Sequence, residues 1–145
     1  MKSAEARRDW LLLAIGFSDG PLSPVQLQKT LFLFGKRLPS SAVPRDFYKF
    51  VPYSYGPFCL GIYSDATHLE LDGLIEIIDG GNVRQYLITA SGRRKAMAMA
   101  DALPSSISSR AKEIVQWVRA QSFRGLISAI YEQYPRYMAN SIFRG

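Results

Sequence analysis

The chain has one cysteine, Cys59, and one histidine, His68. A lone cysteine excludes an internal disulfide and any multi-cysteine metal cluster, and it fits a reducing compartment. His68 and Asp72 stand one helical turn apart, but no further ligand cluster completes the three or four ligands that zinc takes. The plain reading of that pair is a surface histidine beside a carboxylate. A Cys59 and His68 dyad fails on distance, because nine residues on one helix span about 13 Å along its axis. There is no phosphate loop of the GxxxxGK type, and Gly80-Gly81 sits between two β-rich runs rather than at the start of a helix. No catalytic group and no cofactor are therefore expected, which leaves binding to another macromolecule as the expected function.

Long apolar runs are missing too. The longest, Trp10 to Phe17, falls far short of the roughly 20 residues that a bilayer-spanning helix needs. A signal peptide is the other reading of a basic start followed by apolar residues, but Glu5 and Asp9 interrupt the basic region and no small-residue cleavage site follows. A cytoplasmic protein with no membrane contact is expected.

What the chain does have is an ordinary globular composition, 48% hydrophobic and 21% charged over 145 residues. That length suits a single domain with one core. The formal charge of +6 is unevenly distributed. Residues 1–83 hold eight Lys and Arg against nine Asp and Glu, whereas residues 84–145 hold ten against three. Attraction to phosphate should be strongest in the second half.

Periodicity predicts a first helix over about Ser3 to Phe17, with Ala6, Trp10, Leu13 and Phe17 on one face and Glu5, Arg8 and Asp9 opposite. Ser23-Pro24 reads as an N-cap followed by proline in the first position of a second helix. On that helix Leu27, Leu31, Phe34 and Leu38 face inward, and Gln26, Lys29 and Lys36 lie on a wetter face. Pro39 ends it. From Ser40 to Phe58 an aromatic-rich ordered loop is expected, with a short strand at Phe50 and Val51. Gly56-Pro57 should open a third helix closed by Gly73, with Ile62, Ala66 and Leu69 inward and Gly61, Asp65, His68 and Asp72 outward. Leu74 to Ile78 and Val83 to Ile88, joined by Asp79-Gly80-Gly81-Asn82, predict a β-hairpin. Thr89 should cap a fourth helix, a fifth should start in Ser105 to Ser109, a sixth at Phe123, and the tail from Arg136 should add one more turn. The expected class is α+β and mostly helical, a winged helix-turn-helix core over 1–103 with a helical extension over 105–145 packed on it, all one domain.

The strings LQKTLFLFGKRLP, FYKFVPYSYGPF, GLIEI, YLITASGRRKA and SAIYEQYPRYMANS resemble the YwgA-like winged-helix proteins of bacteria and archaea, and more distantly the Panacea antitoxin domain. The resemblance implies the winged-helix fold and a partner-neutralising or adaptor role. It departs from the family pattern at Cys59-Leu60-Gly61, where small polar and acidic residues are expected to open the third helix.

Two surfaces compete for the function. The outward stripe of the third helix, with Asp65, His68 and Asp72 and with Glu70 nearby, carries carboxylates and no Lys or Arg. Approach to a polyanion would therefore cost energy. A protein partner is preferred, bound through that stripe and through Tyr48, Tyr53 and Tyr55 of the aromatic loop, whose rings are otherwise a lid over the core. The alternative is a DNA-binding regulator that grips phosphates through Arg84 on the wing, the triplet Arg93, Arg94 and Lys95, and Lys29 and Lys36. The plain reading of the triplet is a solvated face that keeps the domain soluble. Trp117, Val118, Tyr131, Tyr137, Ile142 and Phe143 offer either packing against the first helix or a homodimer surface.

Overall fold

From Trp10 onward α1 (Ser3–Gly16) is apolar around its whole circumference, since Leu11, Leu12, Ala14 and Ile15 are as buried as Trp10 and Leu13. A helix of that kind has to be enclosed, and α2, α3, α4, α5 and β4 surround it. The single apolar face expected at Ala6, Trp10, Leu13 and Phe17 was therefore too narrow. The computed structural model describes residues 3–143, with side chains from Ala6 onward. Glu5, expected on the wet face, lies outside the described side chains.

α2 (Pro24–Arg37) starts with a full capping box in which Gln26 N–H donates to the Ser23 side chain and Ser23 N–H to that of Gln26, closing two otherwise orphan donors. Every residue from Leu27 to Phe34 is buried. Next come β1 (Val51–Tyr53) and β2 (Gly56–Phe58), antiparallel with Tyr53 opposite Gly56. Gly56-Pro57 thus belongs to a strand, not to the opening of the third helix as expected. Gly56 has φ +98°, and a Cβ there would meet a Tyr131 ring carbon at 3.2 Å. Only glycine suits both the turn and the close approach.

α3 (Gly61–Leu71) begins five residues later than the sequence predicts and has no side-chain cap. Instead the Gln28 amide clips the segment before it, donating to the Cys59 carbonyl and accepting from the Cys59 N–H, each at 2.9 Å. At the far end Gly73, with φ +75°, lets Leu74 N–H reach back to the Leu69 carbonyl, a left-handed helix stop. β3 (Ile75–Ile78) and β4 (Gln85–Ile88) form the second hairpin, with Ile77 opposite Tyr86. Leu22, in the turn between α1 and α2, exchanges two backbone hydrogen bonds with Tyr86 at 2.9 and 3.0 Å, so the outer side of β4 is paired as well.

α4 (Ala90–Ala102) is capped by Thr89, whose hydroxyl accepts from Gly92 N–H. α5 (Ser105–Ala120) and α6 (Phe123–Gln133) follow, and the tail adds a 3₁₀ turn over Pro135–Met138. The structure is α+β and mostly helical. One hydrophobic cluster runs from Trp10 in α1 through Phe34, Ile62, Ala96 and Val118 to Ile127 and Tyr137. Within it lie Val118, Tyr131 and Tyr137, so most of the surface considered for a homodimer is used inside the chain. Trp117 is half-buried under the Arg37 guanidinium, 5.5 Å from its ring. Among the described residues no helix is long and apolar enough to cross a membrane.

Candidate functional site

The expected acidic stripe is broken at its centre. Asp65 is 3% exposed and points inward. Its carboxylate accepts from Arg7 Nε at 2.9 Å, Arg8 Nε at 3.3 Å and the Tyr48 hydroxyl at 2.7 Å, and the Arg7 guanidinium lies 4.8 Å over the Tyr48 ring. Four donors and acceptors from α1, α3 and the 40–50 loop thereby satisfy one another. Burial, then the hydrogen bond and charge of Asp65, raises the Tyr48 hydroxyl far above its ordinary range. For Arg7 burial pulls the pKa down, but the hydrogen bond and charge of Asp65 outweigh it and the net shift is upward. Asp65 and Tyr48, both expected to meet a partner, are thus internal fastenings. Helical spacing puts Asp65 toward water, but the arginine that draws it inward lies 58 residues away in the chain.

His68 and Asp72 are exposed on α3, alongside Ser64, Thr67 and Glu70. Glu70 is already engaged, its carboxylate accepting from Ile77 N–H at 2.9 Å. What remains of the stripe is two exposed carboxylates, Glu70 and Asp72, with no Lys or Arg on the helix. No group of three or more metal-ligating side chains exists among the described residues.

The tyrosines at the tip of the first hairpin do face solvent. Tyr53 is 54% and Tyr55 38% exposed, and beside them stand Phe123 at 49% and Ile142 at 62%. Tyr55 meets Phe123 edge to face at 5.2 Å, Phe123 meets Phe143 at 6.1 Å, and Ile142 N–H donates to the Ser54 carbonyl at 3.0 Å. The hairpin tip, the start of α6 and the tail are thus tied into one aromatic corner. Phe123 reads locally as core, and Ile142 reads as part of a packing or homodimer surface; nothing in the sequence brings either beside Tyr55.

A recess of about 220 Å³ opens at this corner, lined by Val25, Gln28 and Lys29 of α2, residues 53–56 and 58 of the hairpin, Tyr63 and Ile142. Lys29 is 3% exposed, against its expected place on a wet face. Its Nζ donates to the Pro57 carbonyl at 3.2 Å, and no carboxylate pairs with it among the described residues. Burial alone pushes its pKa down to about 7, because a low-dielectric site disfavours the charged form. A lysine so placed cannot grip an external phosphate backbone.

No family model matches the chain, and no curated protein matches it.

The other cations considered for nucleic acid are distributed as follows. Arg84 is exposed and pairs with Asp79 at 3.3 Å, and the hydrogen bond to Asp79 raises its pKa. Arg93, Arg94 and Lys95 are all exposed at the start of α4, where Arg94 donates to the Ser91 hydroxyl at 3.2 Å. Lys36 is exposed with its Nζ 5.6 to 6.0 Å from the ring centres of Phe32, Tyr134 and Tyr137. Together with Arg45 and Lys49 it lines a cleft of about 500 Å³ that has no acidic wall.

Proposed function

We propose that the chain is a non-enzymatic regulatory or antitoxin-like adaptor that binds a protein partner through a winged-helix scaffold. Three helices, the second and third separated by the first hairpin, precede the β3–β4 hairpin, and with the strand-like bridge from the turn between α1 and α2 they support the scaffold. The observation that carries the partner reading is the aromatic corner of Tyr53, Tyr55, Phe123 and Ile142, since clustered exposed rings mark association surfaces. Asp65 is turned inward, so the third helix adds only its two exposed carboxylates, Glu70 and Asp72. The test is capture from nuclease-treated lysate of the native cell on the immobilised chain and on its Tyr53→Ala/Tyr55→Ala variant. A specific protein retained by the first and lost by the second is expected. Retention that vanishes with nuclease, or is equal on both, sinks the reading.

A DNA-binding regulator is the second reading, favoured by the exposed Arg93, Arg94 and Lys95 and by the cation-lined cleft at Lys36. It requires duplex affinity that falls steeply with salt and is lost in Arg93→Glu/Arg94→Glu. A mobility-shift series across salt concentrations decides it.

A further inference from the structure

We propose that the recess at the aromatic corner binds a carboxylate carried on a small apolar or aromatic body, with Lys29 supplying the counter-charge. The inference rests on this corner being the binding surface, but not on its occupant being a protein. Lys29 is a buried lysine whose one acceptor is a neutral carbonyl, that of Pro57. As an ammonium it has three donors, so hydrogens are left for a ligand, and a buried cation without a counter-charge is strongly disfavoured. A carboxylate repairs both deficits at once.

The remaining walls set the body of the ligand. Tyr53, Phe58, Tyr63 and Ile142 are apolar surfaces, and about 220 Å³ lies below the roughly 300 to 1,000 Å³ of drug-sized sites, so one ring or a short aliphatic group fits. A phosphate monoester would bring close to two charges against one lysine. The titratable groups facing Lys29 are Tyr53 and Tyr55 of the hairpin, Tyr63 of α3 and Tyr131 of α6, none of them a carboxylate. Tyr63 is itself raised by burial, so titration near neutrality belongs to the lysine. Above pH 7 binding must take up a proton, and affinity should fall toward tenfold per pH unit.

The experiment is calorimetric titration of the full chain with phenylacetate and its neutral amide, and with a short peptide ending in phenylalanine as free acid and as amide, at pH 6.5 and 8.5. The acids are expected to bind at least tenfold more tightly than the amides, with proton uptake and weaker binding at pH 8.5. Binding of the peptide acid alone assigns the site to a chain end, and binding of both acids shows that a free small acid fits too. Lys29→Met should erase the preference for the acid. Because that variant changes a buried residue, the Lys29 side-chain resonance of the unmutated protein is followed as well, and its titration midpoint should rise when the acid that binds is added. Equal binding of acid and amide, saturation by neither, or an unmoved midpoint overturns the inference. The capture experiment with Tyr53→Ala/Tyr55→Ala is unaffected by any of these failures, so the two readings fall separately.

Discussion

Tyr48 donates its hydroxyl to Asp65 at 2.7 Å, and that bond fastens the loop after α2 to the middle of α3. Asp65→Asn removes the charge that two arginines share. Breaking a buried pair costs about 3 to 5 kcal/mol, but Arg7 and Arg8 keep about 30% of their side-chain surface in water, so about 2 kcal/mol is expected here. Tyr48→Phe should cost about 1 kcal/mol. Urea unfolding of both variants checks the order, and a neutral Asp65→Asn would mean that the cluster contributes nothing to stability.

Gly92 stands in the first turn of α4, where a Cβ would collide with the Leu74 carbonyl oxygen and lie 2.8 Å from the Ile88 Cδ1. Alanine is intrinsically the better helix former by about 1 kcal/mol. Backbone cannot give way as a flexible side chain can, so Gly92→Ala is expected to lower the melting temperature despite that gain. An unchanged or raised melting temperature would contradict the tight seating of α4 against Leu74 and Ile88.

Stability should depend on pH through Lys29. Its pKa is about 7 in the folded chain against an ordinary 10.5. Below pH 7 both states hold the proton and the burial penalty is fully present. Between 7 and 10.5 the unfolded chain binds more protons, so stability rises with pH across that window, by up to about 1.4 kcal/mol per unit. Unfolding curves of the native sequence and Lys29→Met, compared between pH 6.5 and 9.5, should diverge with that slope. Parallel curves would place the lysine in water.

The rings at the corner should be nearly dispensable for folding. Tyr53 stacks on Phe58 at 4.8 Å and Tyr55 meets Phe123 edge to face, contacts of about 0.5 to 1.5 kcal/mol each, but the rings are 54% and 38% exposed. Tyr53→Ala/Tyr55→Ala is expected to cost no more than about 2 kcal/mol in a chemical unfolding assay. A larger loss would make the corner part of the core.

Local signals in the chain proved most legible where a short-range interaction creates the structure. Ser23-Pro24, Gly73, Thr89 and the second hairpin stand at or within a residue or two of their expected places, because caps and turns are decided by neighbours in sequence. Of the α5 stripe that spacing predicts at Ile107, Ala111, Ile114 and Val118, the last three are buried and Ile107 is half-buried. Long-range pairing was not legible. Asp65 and Lys29 were placed in water by their type, and the first needed Arg7, Arg8 and Tyr48 to be seen, the second the wall made by Pro57. The second strand of the first hairpin reads as the start of a helix because Gly-Pro opens helices and strands alike, while the first strand lies where a short strand at Phe50 and Val51 is expected.

Glu70 spans to Ile77 N–H, and on the opposite flank of the hairpin Leu22 occupies Tyr86. Ile77 and Tyr86 sit across from one another without exchanging bonds, so Ile77 turns its amide toward the unpaired margin of β3. With that donor occupied and a charge set beside it, the margin is a poor template for a strand from another molecule. Glu70→Ala would free the donor, and the consequence is self-association by strand addition, visible as concentration-dependent light scattering absent from the unaltered chain.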